Sequence, residues 1–189
     1  LDGLKQVFLT LNDAGAKLIS NSPMYGRSEE IIGLLTSKTS MEKFFYATKV
    51  WTQGREEGIN QMENSFRKLQ RPVIDLMQIH NLVDWKIHLE TLKQLKEEGR
   101  IRYIGITHYI DSMHDELVNI IKTEKIDFVQ FNYSIAHRNA EKTLLPAAAE
   151  YGVATLINRP VGEGNLFNQV KGKTLPAWAN DYDIKNWSQ

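Results

Sequence analysis

Short runs of β-branched and aromatic residues return along the chain at intervals of about 25–30 residues. They are AKLIS around Leu18, FFYATKVW around Ala47, VIDLMQIH around Met77, IRYIGIT around Ile104, DFVQFNY around Val129 and VATLINRP around Thr155. Between them the pattern changes period. In EEGINQMENSFRKLQ and WKIHLETLKQLKEEGR the apolar residues recur every third or fourth position, as on one face of a helix. Strand and helix therefore alternate. Asp13, Gly15, Gly99 and Gly152 fall where a helix should end and the next strand begin, glycine being the residue that enters the left-handed conformation without steric cost. Each unit closes within a few residues, as parallel βα units do.

Repeated βα units build either an open doubly wound sheet or a closed eight-stranded barrel. The open form usually carries a phosphate loop, and neither G-x-G-x-x-G after the first strand nor G-x-x-x-x-G-K-[ST] occurs here. The barrel is the better fit. At about 27 residues per unit, the chain accommodates about six strands where a barrel closes with eight. The opening LDGLKQVFLTLNDAGAK reads as a helix that should follow a strand, and PAWANDYDIKNWSQ as a helical stretch that should precede one. The expectation is an α/β chain, one domain over residues 1–189, forming a (β/α)8 TIM barrel truncated at both ends to about six βα units. A fragment of this kind should associate with itself through its open sheet edges.

Composition narrows the function. With 189 residues, 42% of them hydrophobic and 24% charged, the chain should fold around a sizeable core. Lys plus Arg equals Asp plus Glu at 23 each, so no basic field is present to hold a nucleic acid or an anionic membrane. The absence of cysteine excludes disulfides, thiolate nucleophiles and Cys-ligated zinc. No apolar run approaches the roughly 20 residues that span a bilayer, and a soluble cytoplasmic protein is expected.

In a βα barrel the reactive side chains stand at the carboxyl ends of the strands. Those ends are polar here: Ser20, Asn21, Ser22, Met24 and Tyr25; Thr48, Lys49 and Trp51; Gln78, His80 and Asn81; Thr107 and His108; Gln130, Asn132 and Tyr133; Asn158 and Arg159. Polar residues at strand ends often do no more than meet water. Tyr25, Lys49 and His80 converging on one mouth would do more. An ammonium within FFYATKVW needs a partner, since burying it unpaired costs several kcal/mol. A phenol beside it would have its pKa lowered and could act as a general acid, while His80 could donate a hydrogen bond to a substrate oxygen. His80, His88, His108, His114 and His137 are the candidate metal ligands, but no pair falls at i, i+4 on one helix and no H-E-x-x-H occurs.

The segments NSPMYGRSEEIIG, FYATKVW, DLMQIHN, LKEEGRIRYIGITHY, FVQFNYS and LINRPVGEGNLF, in this order, resemble the aldo-keto reductase family over essentially the whole chain. The resemblance implies a (β/α)8 barrel that reduces aldehydes and ketones with NADPH through an Asp, Tyr, Lys and His tetrad. It makes Tyr25 the proton donor, Lys49 the group that lowers its pKa and His80 the group that orients the carbonyl. It places Met24, Trp51 and Asn81 in the substrate pocket and Thr107, His108 and Gln130 on the nicotinamide carboxamide. Asn158 stands where many members stack a tyrosine, and Gly162, Gly164 and Leu166 match the loop under the pyrophosphate. The tetrad Asp, five residues before the Tyr, is Ser20 in this chain, which supplies a hydrogen bond without a charge. The family's basic grip on the cofactor 2′-phosphate lies beyond Gln189.

Three functions compete on this reading: an NADPH-dependent carbonyl reductase acting on a small molecule, a non-catalytic nucleotide-binding sensor or scaffold in which Ser20 and Asn158 mark lost chemistry, and a metal-dependent barrel enzyme. The last would need carboxylates at several strand ends, where none stands.

Overall fold

The computed structural model describes residues 2–37 and 44–189; Leu1, within the opening helical segment, lies outside them. Six strands, β1 (Leu18–Ser20), β2 (Phe45–Val50), β3 (Ile74–His80), β4 (Ile101–Thr107), β5 (Phe128–Asn132) and β6 (Ala154–Asn158), pair in sequence order, every neighbour parallel. Helices α1 (Asp2–Asp13), α2 (Ser28–Thr36), α3 (Arg55–Leu69), α4 (Trp85–Glu97), α5 (His114–Thr123), α6 (Leu144–Glu150) and α7 (Asn165–Val170) separate and flank them. This is a curled sheet of six βα units, a partial (β/α)8 barrel with two strand edges open.

Each strand centre expected from the sequence lies in a strand. The tail does not follow its pattern: Ala177–Tyr182 forms a 3-10 helix and Asp183 turns out of it in the left-handed conformation, so PAWANDYDIKNWSQ is a short coil of turns rather than one helix. Among the described residues no helix is long and apolar enough to cross a membrane.

Strand alternation sorts the side chains into two layers. Outward-facing Met77, Ile79, Ile104, Ile106, Val129 and Phe131 meet Met62, Leu89, Leu92, Leu117 and Ile120 of the helices, and this layer is the main core. The inward layer is aromatic at its base, where Phe45, Tyr103 and Phe128 bring their ring centroids within 5.4–5.9 Å, and polar at its top. Two carboxylates secure the strand beginnings. Asp75 accepts from the Tyr46 backbone N–H at 2.8 Å and Asp127 from that of Ile104 at 2.7 Å, which satisfies donors that would otherwise be left unpaired.

Two glycines set distances that the site depends on. At Gly33, in α2, a Cβ would sit 2.1 Å from the Lys68 carbonyl oxygen, so only glycine lets α2 lie this close to the end of α3. At Gly105, in β4, a Cβ would meet Gln78 at 2.8 Å; the missing side chain is the space that Gln78 uses inside the sheet.

Candidate active site

The register places polar residues of neighbouring strands side by side at the carboxyl end. Lys49 pairs with Gln78, His80 with Thr107, Thr107 with Gln130, and Asn132 with Asn158. A cavity of about 680 Å³ opens there, within the size range of small-molecule sites. Of the residues singled out in the sequence, Ser20, Met24, Tyr25, Lys49, Trp51, His80, Asn81, Thr107, Gln130 and Asn158 all line it.

Lys49 is 3% exposed. Its ammonium donates to the Asn21 carbonyl oxygen at 2.6 Å and to Ser20 Oγ at 3.2 Å, and lies 5.9 Å from the centroid of the Tyr25 ring. Strand β1 therefore holds the amine by neutral acceptors, one of them the serine at the expected Asp position. Burial lowers the Lys49 pKa from 10.5 to about 8, against the attraction of Glu29, which raises it. Tyr25, by contrast, is 50% exposed on the connection between β1 and α2, with its ring edge-on to His80 at 6.3 Å.

His80 ends β3, which is buried along its whole length. Desolvation, then the charge of Lys49, then that of His108 push its pKa down to about 4, so the ring is neutral near pH 7. Its Nδ1 lies 3.1 Å from Ser22 Oγ, and Trp51 flanks it at 6.2 Å. Two residues before His80 on β3, Gln78 donates from its amide nitrogen to Gln130 Oε1 at 3.1 Å, and Gln78 Oε1 is buried without a hydrogen-bond partner among the described residues.

Arg159, singled out as a strand end, lines the cavity too, together with two residues that the sequence did not mark, Tyr109 and Glu163. The Arg159 guanidinium stacks over the Tyr109 ring at 4.8 Å and pairs with Glu163 at 2.9 Å. This bridges the loops after β4 and β6. His108 turns away from the cavity. Its ring stacks on Tyr109 at 5.4 Å, and its Nδ1 accepts from the Tyr109 backbone N–H at 3.0 Å. Thus Tyr109, one residue on, occupies the wall in its place. Gly162 lines a smaller adjoining cavity of about 180 Å³ with Asn132, Tyr133, His137 and Asn165. Gly164 and Leu166 line neither; their N–H groups are spent within the loop, both on the Val161 carbonyl.

The comparisons with known proteins agree with this geometry. The sequence profile of the Aldo/keto reductase family matches residues 4–180. The chain belongs to the aldo/keto reductase family. It is 30% identical over 170 residues to aldo-keto reductase YhdN of Bacillus subtilis, covering 82% of this chain and 50% of that one. Over 200 residues it is 28% identical to the NADH-specific methylglyoxal reductase of Escherichia coli, covering 90% and 60%. Among solved structures, the holo form of an aldo-keto reductase from Bacillus halodurans superposes with a TM-score of 0.73 at 25% identity, covering 92% of this chain and 61% of that one. The chain spans only half to three fifths of the length of the two curated relatives.

Proposed function

We propose that this chain carries the proton-transfer half of an NADPH-dependent carbonyl reductase acting on an aldehyde or ketone. The observation that carries the reading is one cavity wall holding the Tyr25 phenol, the Lys49 ammonium 5.9 Å from its ring and a neutral His80.

The residues present fit the nicotinamide end of such a cofactor. Gln130 spends its amide oxygen on Gln78, which leaves its amide nitrogen free to donate to a carboxamide oxygen, and Thr107 and Asn158 stand beside it on the cavity wall. Bound there, NADPH would supply hydride chemistry at the carbonyl carbon. Tyr25 gives its proton to the carbonyl oxygen, and Lys49 stabilises the phenolate that remains. In the tautomer in which the Ser22 hydroxyl donates to Nδ1, the proton of the neutral His80 ring sits on Nε2, where it can hold the same oxygen in line. The products are an alcohol and the oxidised cofactor, and Tyr25 is reprotonated from solvent through its exposed face.

A second reading, a nucleotide-binding barrel without turnover, is favoured by Ser20 at the Asp position and by the bonding of Lys49 to β1 rather than to the phenol. NADPH oxidation with a generic α-dicarbonyl separates the two. Under the reductase reading, Tyr25→Phe lowers the rate at least roughly 100-fold, the low end for a general acid, with cofactor affinity within a few-fold. Undiminished turnover in that variant would remove Tyr25 from the mechanism.

A further inference from the structure

Among the described residues no carboxylate on its own side of the sheet pairs with the Lys49 ammonium. Its two acceptors, Ser20 Oγ and the Asn21 carbonyl, are neutral. The other titratable groups on the cavity wall are Tyr25, His80, Tyr109, Arg159 and Glu163, and Glu163 is paired with Arg159. On α2, Glu30 is half-buried and paired with Arg27 at 3.0 Å. A cation this deeply buried is costly unless a charge offsets it.

That charge lies behind the strand. Thr48 precedes Lys49 and therefore faces the helices, and its hydroxyl donates to Glu29 Oε1 at 2.6 Å. Glu29 is 1% exposed, and its Oε2 has no hydrogen-bond partner among the described residues. It stands in the first turn of the nine-residue α2, where the positive end of the helix dipole favours an anion. On that side Glu29 shares a cavity with Glu57 and Lys68, of opposite charges, and among the described residues it forms an ion pair with neither; one short hydrogen bond and a helix end are thin compensation for a buried carboxylate. Two under-compensated charges of opposite sign thus sit on the two faces of β2, attached to it at adjacent positions. At the low dielectric of the interior their attraction across the strand is strong, and Glu29 is the carboxylate whose field acts on Lys49.

We propose that Glu29 is a positioning residue for Lys49: from behind β2 it keeps the ammonium protonated and so takes over the charge role that a carboxylate at position 20 would perform from the front. Its meaning for turnover rests on the reductase reading above; the electrostatic coupling itself does not.

The test is a 13Cε NMR titration of lysine-labelled chain, with Lys49 assigned by its loss in Lys49→Arg. Glu29→Gln, which keeps size and the bond to Thr48, should lower the Lys49 midpoint by at least about one unit, a tenfold change in the protonation equilibrium. Glu29→Asp should stay within about half a unit of the parent, and Ser20→Asp should restore the midpoint in the Glu29→Gln background. A role confined to packing α2 against β2 would move none of these. An unchanged midpoint in Glu29→Gln, with Ser20→Asp still raising it, overturns the proposal. If circular dichroism shows that Glu29→Gln does not fold, Thr48→Val decides: a lowered midpoint supports the coupling, and an unchanged one overturns it. Turnover is followed in parallel. A midpoint that answers to Glu29 in a chain without carbonyl reduction upholds the coupling and sinks the reductase reading; Tyr25-dependent turnover with a midpoint indifferent to Glu29 does the reverse.

Discussion

The centre of the sheet and its two edges are built to different standards, and the site straddles both. Strand β3 is buried at all seven positions and β2 at five of six, so Lys49 and His80 project from a packed, fully paired platform. Strand β1 has three residues, none buried, and β6 is half-buried at best, with Thr155 and Ile157 exposed. Helix α1 buries no residue, leaving Leu4, Val7 and Leu11 exposed. Lys49 and His80 therefore rest on packed central strands, whereas Tyr25 and Asn158 hang from the margins. A side chain held by packing on both faces keeps its geometry without a ligand; one on an open edge depends on whatever completes the wall.

The largest expected effect breaks this contrast directly. Ile79→Ala, at a fully buried position of β3, should cost about 2–5 kcal/mol of unfolding free energy, while the same truncation at Ile157, 37% exposed in β6, should cost under about 1 kcal/mol. Urea denaturation measures both. Similar losses would mean that β6 is packed as tightly as β3 in solution.

Lys49 sharpens it next. Its folded pKa of about 8 lies below the ordinary 10.5, so between those values the unfolded chain binds the proton that the folded chain has released. Stability must rise with pH across that window, and at pH 7 the buried charge is a penalty. Lys49→Met, which keeps the stem and removes the charge, should stabilise the fold by on the order of 1–3 kcal/mol at pH 7, with the gain shrinking toward pH 10. A Lys49→Met chain less stable than its parent at both pH values would show that the ammonium contributes more through Asn21 and Ser20 than burial costs.

The same titration governs rate in the opposite sense. Because the proposed mechanism uses the charged amine, carbonyl reduction should fall as pH rises through about 8, approaching tenfold per unit above it. A rate that stays flat to pH 10 would take the Lys49 charge out of the chemistry.

The smallest effect belongs to the edge. Within the described cavity wall the only cation besides Lys49 is Arg159, already paired with Glu163. NADPH and NADH should therefore bind this chain within about threefold of each other, since charge-assisted bonds to the 2′-phosphate are the terms that would discriminate. Calorimetric titration with both nucleotides checks it, and strong NADPH preference would mean that Arg159 leaves Glu163 for the phosphate.

By itself the sequence determined whatever depends on local order. The alternation of periods located all six strands, and Gly15, Gly99 and Gly152 exit in the left-handed conformation that their positions called for. Strand ends also brought Tyr25, Lys49 and His80 to one mouth, because in a βα barrel every carboxyl end faces the same way. Only the tertiary structure decided which neighbour of a strand end enters the cavity. His108 and Tyr109 differ by one position, and a loop hydrogen bond with a ring stack turned the tyrosine inward. Arg159 and Glu163 reach the wall through left-handed backbone at non-glycine positions, φ 55° and 56°, which no periodicity announces. The placement of Glu29 follows from neither spacing nor composition: it needs α2 held close to the end of α3 by Gly33, and a helix carboxylate that finds the hydroxyl of Thr48 on the hidden face of the strand that shows Lys49 to the cavity. Local patterns set which face a residue takes; what stands opposite it is a contact between segments distant in sequence, and only packing chooses those.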